Sequence, residues 1–193
     1  PFNDIKHENQ IEKSSMILST EQDNEEIIQM LINHPTIDIN YKTLNNTNGE
    51  EKTALHIAVE KGLTKIVEYL LSNPKINVNI KKTSMNNDDE KTALHIAVEN
   101  NYIDIVKLLL NKSEIDVNIK MFINHRNVFI EKTALHIAVE NDYLGIVKLL
   151  LEKNDIDVNA KCMICDEQNS IDIEKTALHI AVEREKIEII QAL

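Results

Sequence analysis

Residues 51–60 read EKTALHIAVE, and the same ten residues recur unchanged at 90–99, 131–140 and 174–183. Their threonines, Thr53, Thr92, Thr133 and Thr176, lie 39, 41 and 43 residues apart. An identical decamer at near-constant spacing marks a repeat protein, in which each unit buries its apolar face against the next. A second apolar run follows each complete decamer, at Ile66–Leu71, Ile105–Leu110 and Ile146–Leu151. An Asn then closes the unit 26 residues after Thr, at Asn79, Asn118 and Asn159. Only the spacers vary: 41–52, 80–91, 119–132 and 160–175 hold 12, 12, 14 and 16 residues.

The same ruler reaches backwards from Asn40 to Ser14. The stretch 27–40, IIQMLINHPTIDIN, matches the second half of the unit, and 14–20, SSMILST, is a degenerate first half. A divergent, more polar first unit is what a capping repeat looks like. The organisation expected is a lead-in at 1–13, then units with their spacers at 14–52, 53–91, 92–132 and 133–175. A fifth unit at 176–193 breaks off within its second apolar run. The chain also opens at Pro1, so it reads as a segment of something longer.

Each unit predicts two helices. The first starts at Thr, a good N-cap, and carries apolar residues such as Leu55, Ile57, Ala58 and Val59. The break falls at Gly62, Asn101, Asp142 and Glu185; Gly, Asn and Asp tolerate a left-handed backbone there and Glu does so poorly. The second helix places Ile, Val and paired Leu on one stripe.

These residues resemble the ankyrin repeat: Thr-Ala-Leu-His, then Ile-Ala-Val-Glu, Ile-Val-Lys-Leu-Leu-Leu and Asp-Val-Asn, in register over residues 14–193. The resemblance implies an all-α solenoid of stacked helix-turn-helix units, each spacer forming a β-hairpin finger. It implies protein–protein interaction as the function. Three departures stand out. Ala54, Ala93, Ala134 and Ala177 replace the usual Pro after Thr. Glu51, Glu90, Glu131 and Glu174 stand where the family has Gly. The period is stretched from 33, so the fingers should be long.

Composition narrows the function. Lys and Arg number 21 against 32 Asp and Glu, a formal charge of −11. That balance disfavours nucleic acid and anionic membranes and favours a protein partner with a basic patch. Three scattered Gly cannot build a phosphate loop, and two Cys make no disulfide framework and fit an intracellular setting. No apolar run approaches a membrane span. Neither a nucleophile–base–orienter set nor a metalloprotease motif occurs, so no enzyme activity, catalytic residue or cofactor is expected.

Four repeat histidines, His56, His95, His136 and His179, follow their Thr by three residues. The resemblance implies that each bonds its Thr and ties neighbouring repeats. Cys162-Met163-Ile164-Cys165 is a C-x-x-C, but a zinc site needs two more ligands, for which His125 and Asp166 are the candidates. Two charge rows recur, Lys13, Lys52, Lys91, Lys132 and Lys175, and Glu21, Glu60, Glu99, Glu140 and Glu183. A solvated ladder pairing with itself between repeats is the plainer reading; a grip on a polar target is the functional one. The residue after each Glu varies: Gln22, Lys61, Asn100, Asn141 and Arg184.

The third spacer, IKMFINHRNVFIE at 119–131, reads as a hairpin folded about His125-Arg126. That fold pairs Asn124 with Asn127, Ile123 with Val128, Phe122 with Phe129 and Met121 with Ile130. Its aromatics either pack on adjacent fingers, against Met85, Met163, Ile164 or Ile171, or anchor a partner. The partner-binding candidates are therefore Met121, Phe122, His125, Arg126 and Phe129, with Glu99, Asn100, Glu140 and Asn141 on the concave face. The alternatives are a regulatory or targeting segment of a larger protein, or a metal or redox site at Cys162 and Cys165.

Overall fold

A computed structural model of the protein describes residues 15–45, 49–84, 89–125, 128–166 and 171–193. Five helix pairs follow one another. They are α1 (15–21) with α2 (Glu25–Leu31), α3 (Ala54–Glu60) with α4 (Thr64–Ser72), and α5 (Ala93–Glu99) with α6 (Ile103–Leu110). Then come α7 (Ala134–Glu140) with α8 (Leu144–Leu151), and α9 (Ala177–Glu183) with α10 (Ile187–Ala192).

Each decamer forms its helix for a local reason. At Thr53, Thr92 and Thr176 the backbone is extended and the hydroxyl accepts from the N–H of the His three residues on. The His side chain returns a bond to the Thr backbone in all four copies, Thr133 included. A reciprocal cap of this kind stabilises a helix start by about 1 kcal/mol. The helix ends where the chain enters a left-handed residue: Asp23, Gly62, Asn101, Asp142 and Glu185, with φ between 55° and 68°. Glu185 adopts this conformation despite its Cβ. Gly62 has a second constraint, because a Cβ there would lie 3.1 Å from the Tyr102 ring.

Helices stack like on like. α3, α5, α7 and α9 form one layer, and α2, α4, α6, α8 and α10 the other. The core runs between the layers and between units. Ile66, Val67, Leu70 and Leu71 show the stripe, all buried, and Ile105, Val106, Leu109 and Leu110 repeat it. Asn residues join the units at the loops. Asn118 Nδ2 donates to Asp155 O (2.7 Å) while its Oδ1 accepts from Asp157 N (2.8 Å). Asn79 and Asn40 do the same one and two units earlier.

The expectation of an all-α fold fails. The fingers contribute β1 (Thr43–Asn45), β2 (Glu50–Lys52), β3 (Lys81–Ser84), β4 (Glu90–Thr92), β5 (Lys120–His125), β6 (Val128–Thr133), β7 (Cys162–Asp166) and β8 (Ile171–Lys175). All eight join in one antiparallel sheet in chain order. The cause is a match of two spacings. Packed helices sit about 8–10 Å apart, and two strands at about 4.8 Å each fill the same interval. Each hairpin therefore arrives within hydrogen-bonding distance of the next, and separate appendages merge into a mixed α/β solenoid.

The register of the third finger also differs from the sequence expectation. Ile123 faces Ile130, Asn124 faces Phe129, and His125 faces Val128. The shift is two residues, and its origin lies at the base, where Lys120 pairs with the cap residue Thr133. The helix start sets the register, not the composition of the tip. A shift of two leaves every side chain on its original face. Arg126, Asn127 and Met85 lie outside the described residues, as do Lys13 and Ser14.

Candidate binding surface

The sheet stands against the helix layers with two unlike faces. One face looks toward the ends of α3, α5, α7 and α9. Its lysines, next to each Thr, reach the Glu that ends the following helix: Lys52–Glu60 (2.8 Å), Lys91–Glu99 (2.7 Å), Lys132–Glu140 (2.7 Å) and Lys175–Glu183 (2.6 Å). Each pair crosses a unit boundary, from the Lys that ends one spacer to the Glu that ends the first helix of the next unit, because the strand leads straight into the helix and eight residues span the corner. Within the unit 53–91, Lys82 also reaches Glu60 at 2.7 Å. Burial alone would raise the Glu60 carboxyl, but hydrogen bonds from Lys52 and Lys82 outweigh it and hold it below the usual range. Glu50, 2.6 Å from Lys52, completes a four-charge cluster at fingers one and two.

The opposite face carries a second ladder that sequence reasoning missed. Lys42–Glu51 (3.7 Å), Lys81–Glu90 (2.9 Å), Lys120–Glu131 (3.2 Å) and Lys161–Glu174 (2.6 Å) each cross one hairpin. This explains why Glu stands two residues before every Thr: it meets the Lys from the other strand of its own finger. The signal was present, since Lys42, Lys81, Lys120 and Lys161 all stand 28 residues after the start of their unit. Half-exposed pairs of this kind contribute about 0.2–1 kcal/mol each.

The histidines sit behind the first ladder. His56 Nδ1 accepts from the Thr53 N–H (3.3 Å) and from the Thr53 hydroxyl (2.8 Å). The proton is then on Nε2, which donates to Ile80 O at 3.0 Å. Thr92 with His95 and Thr133 with His136 repeat the first part. His136 Nε2 faces Lys175 O at 3.3 Å, where the next unit starts. His95 Nε2 is buried and lies toward the Ile119 and Lys132 backbones without a well-aligned hydrogen bond to either. Burial lowers His56 and His95 to about 4 and lowers His136 as well. Thr176 and His179 make the same bonds at the exposed end of the stack.

The other candidates separate in space. Glu99 and Glu140 are held by their lysines. Asn100 and Asn141 bond back to Ile96 O and Ile137 O (2.9 Å each) at the same helix ends. Met121 is buried, 4% exposed, within the core. Phe122 and Phe129 stack with centroids 5.9 Å apart on the far face of the sheet. Alternation therefore keeps Met121 and the two Phe from forming one anchor. His125 lies in β5 opposite Val128, and its side chain is outside the described residues.

Cys162 and Cys165 are three apart on one strand, so they point to opposite faces. Cys162 is 1% exposed and lies in the core. Burial raises its thiol, leaving a poor nucleophile and ligand. Among the described residues no group of three His, Cys, Asp or Glu could hold a metal. No helix among them is long and apolar enough to cross a membrane.

A further register feature lies on the helix-side face. Ile123 pairs with Ile130, Ile130 with Ile164, and Ile164 with Ile173. Four isoleucines thus stand in line across β5 to β8.

The sequence profile for ankyrin repeats (three copies) matches residues 2–82, 46–121, 81–162 and 119–193. The overlapping matches run over almost the whole chain. A search of curated proteins found no match.

Proposed function

The chain belongs to the ankyrin repeat family, whose members generally mediate protein–protein interaction, and from that premise we propose that it is a non-catalytic binding module. It holds a protein partner along the ends of the first helices and the adjoining face of the finger sheet. The observation that carries this reading is the fusion of all eight finger strands into one sheet bonded along its length. Hairpins standing singly would have to be ordered by the partner. Hairpins bonded to their neighbours present a surface with little ordering left to do, which raises affinity for the same contacts. The charge of −11 favours a partner with a basic patch and gives no support to nucleic acid, and two cysteines without a disulfide framework fit a setting inside the cell.

Affinity capture from the native cell extract tests this. Asn100→Arg with Asn141→Arg places two bulky cations on the first-helix side, where both side chains hydrogen-bond their own helices. The double variant should lose the partner that the native chain captures while keeping its circular dichroism and urea midpoint. Retention of the full set of captured proteins would move the binding site elsewhere.

A further inference from the structure

The line of isoleucines is contiguous across four strands, and its neighbours make it directional. Each residue sits in register with the next across four adjacent strands, so the line spans three strand intervals, about 14 Å. Of the four, Ile123 packs against the core. Ile130, Ile164 and Ile173 stand beyond it and are partly exposed. One exposed aliphatic residue needs no explanation, but a contiguous row of them does. The opposite face of these strands is not built the same way: there Glu131 and Glu174 alternate with Phe122, Phe129 and Met163.

Traced into the first two fingers, the same level of the sheet changes character. The pairing of Glu90 with Phe122 sets Asp89 level with Ile123. Ser84 N bonds Asp89 O at 3.1 Å, and Ser84 pairs with Glu50. The strip is thus aliphatic over fingers three and four and polar over fingers one and two, where Glu50 is held by Lys52 and Asp89 Oδ1 has no hydrogen-bond partner among the described residues. It runs along the stacking direction, just above the ladder from Lys52 to Lys175.

We propose that this strip selects the partner's contact segment: a linear stretch with a cluster of aliphatic side chains followed by basic residues. The aliphatic part lies on Ile130, Ile164 and Ile173. The basic part lies toward Asp89. The inference rests on the binding-module reading and adds the chemistry and polarity of what is bound. A second copy of the chain fits poorly, because it would bring a charge of −11 to a charge of −11.

The test is selection of a random twelve-residue peptide library on the intact chain, followed by anisotropy titration of the enriched peptides. Enriched peptides should carry an aliphatic cluster and then Lys or Arg. Ile130→Thr with Ile164→Thr, which keeps branched residues in the strands, should weaken them at least tenfold. Asp89→Asn should weaken them about threefold, and added salt should weaken binding to the native chain. Circular dichroism and the urea midpoint verify folding; if the double variant unfolds, Ile173→Thr on the outermost strand replaces it. Enriched peptides that lack the pattern, or that bind the variant as tightly as the native chain, overturn the proposal. Peptides lost with Asn100→Arg/Asn141→Arg but kept by the isoleucine variants would remove the strip and leave the module reading standing. If neither set of variants affects any ligand, both readings fall. Dimerisation that the isoleucine variants abolish would assign the strip to a second copy and also overturn the proposal.

Discussion

Lowering the pH from 7 to 5 should cost this protein several kcal/mol of stability through its buried histidines. His56 and His95 carry ordinary imidazole values near 6.5 when unfolded and about 4 when folded. Burial is the main cause, and the bonding at Nδ1 adds to it in kind, because two donors already point at the nitrogen that would take the proton. A folded value below the unfolded one means the unfolded chain binds the extra proton. Stability is therefore full above about pH 6.5 and is lost as pH falls toward 4. The slope approaches about 1.4 kcal/mol per pH unit for each imidazole. At pH 5 the loss is about 2 kcal/mol per site, or about 4 kcal/mol for the two, and His136 shifts in the same direction. Urea unfolding followed by circular dichroism at pH 7, 6 and 5 measures it. Calorimetry in buffers of different ionisation enthalpy should detect the uptake of about two protons on unfolding near pH 5. A change of less than about 1 kcal/mol between pH 7 and 5 would refute the reasoning, as would imidazole resonances of His56 and His95 that titrate near 6.5 in the folded protein.

Leu109→Ala removes a side chain with no exposed surface at the centre of the stack and should cost about 2–5 kcal/mol in a urea melt. Asn118→Ala cuts both hydrogen bonds that join two units at the loops and should cost about 1–3 kcal/mol, with amide exchange accelerating at Asp157. Glu185→Gly relieves a left-handed residue with φ 56° and should raise the thermal midpoint, by a stabilisation of about 0.5–1 kcal/mol.

The helices were legible because the decamer holds a start signal and a stripe, and the stop follows two residues after it. Thr opens each helix, and residues able to turn left-handed close it. The first unit is legible from the count back to Ser14 and from the match of 27–40 to the second half of the unit, and Asp23 takes the same left-handed turn there as Gly62 does in the next. The sheet was not legible as a sheet. Nothing in a single spacer says that the neighbouring hairpin will lie one strand interval away; that follows from the pitch of the helix stack. The finger-three register was missed for a related reason. Reading inward from the tip ignored Thr133, which belongs to the helix and to the hairpin at once. Met121 looked like part of an aromatic cluster because it adjoins Phe122, yet adjacent strand residues face opposite ways, and Met121 went to the core. The glutamates before each Thr were seen as a departure from the family, but their partner lysines lie across the hairpin and became visible only once the strands were paired.

The finger lengths of 12, 12, 14 and 16 residues differ only by even numbers. A hairpin anchored at both ends to helices can grow by two residues, one per strand, and leave every existing side chain on its side of the sheet. Growth by one would turn part of a strand over, sending a Lys of one ladder to the other face and an isoleucine away from the helix side. Length in this part of the molecule behaves like a reading frame whose unit is two. Insertions and deletions in pairs should reshape the outer margin of the surface while the helix stack beneath keeps its register. Single-residue changes should act on both ladders and on the aliphatic strip together.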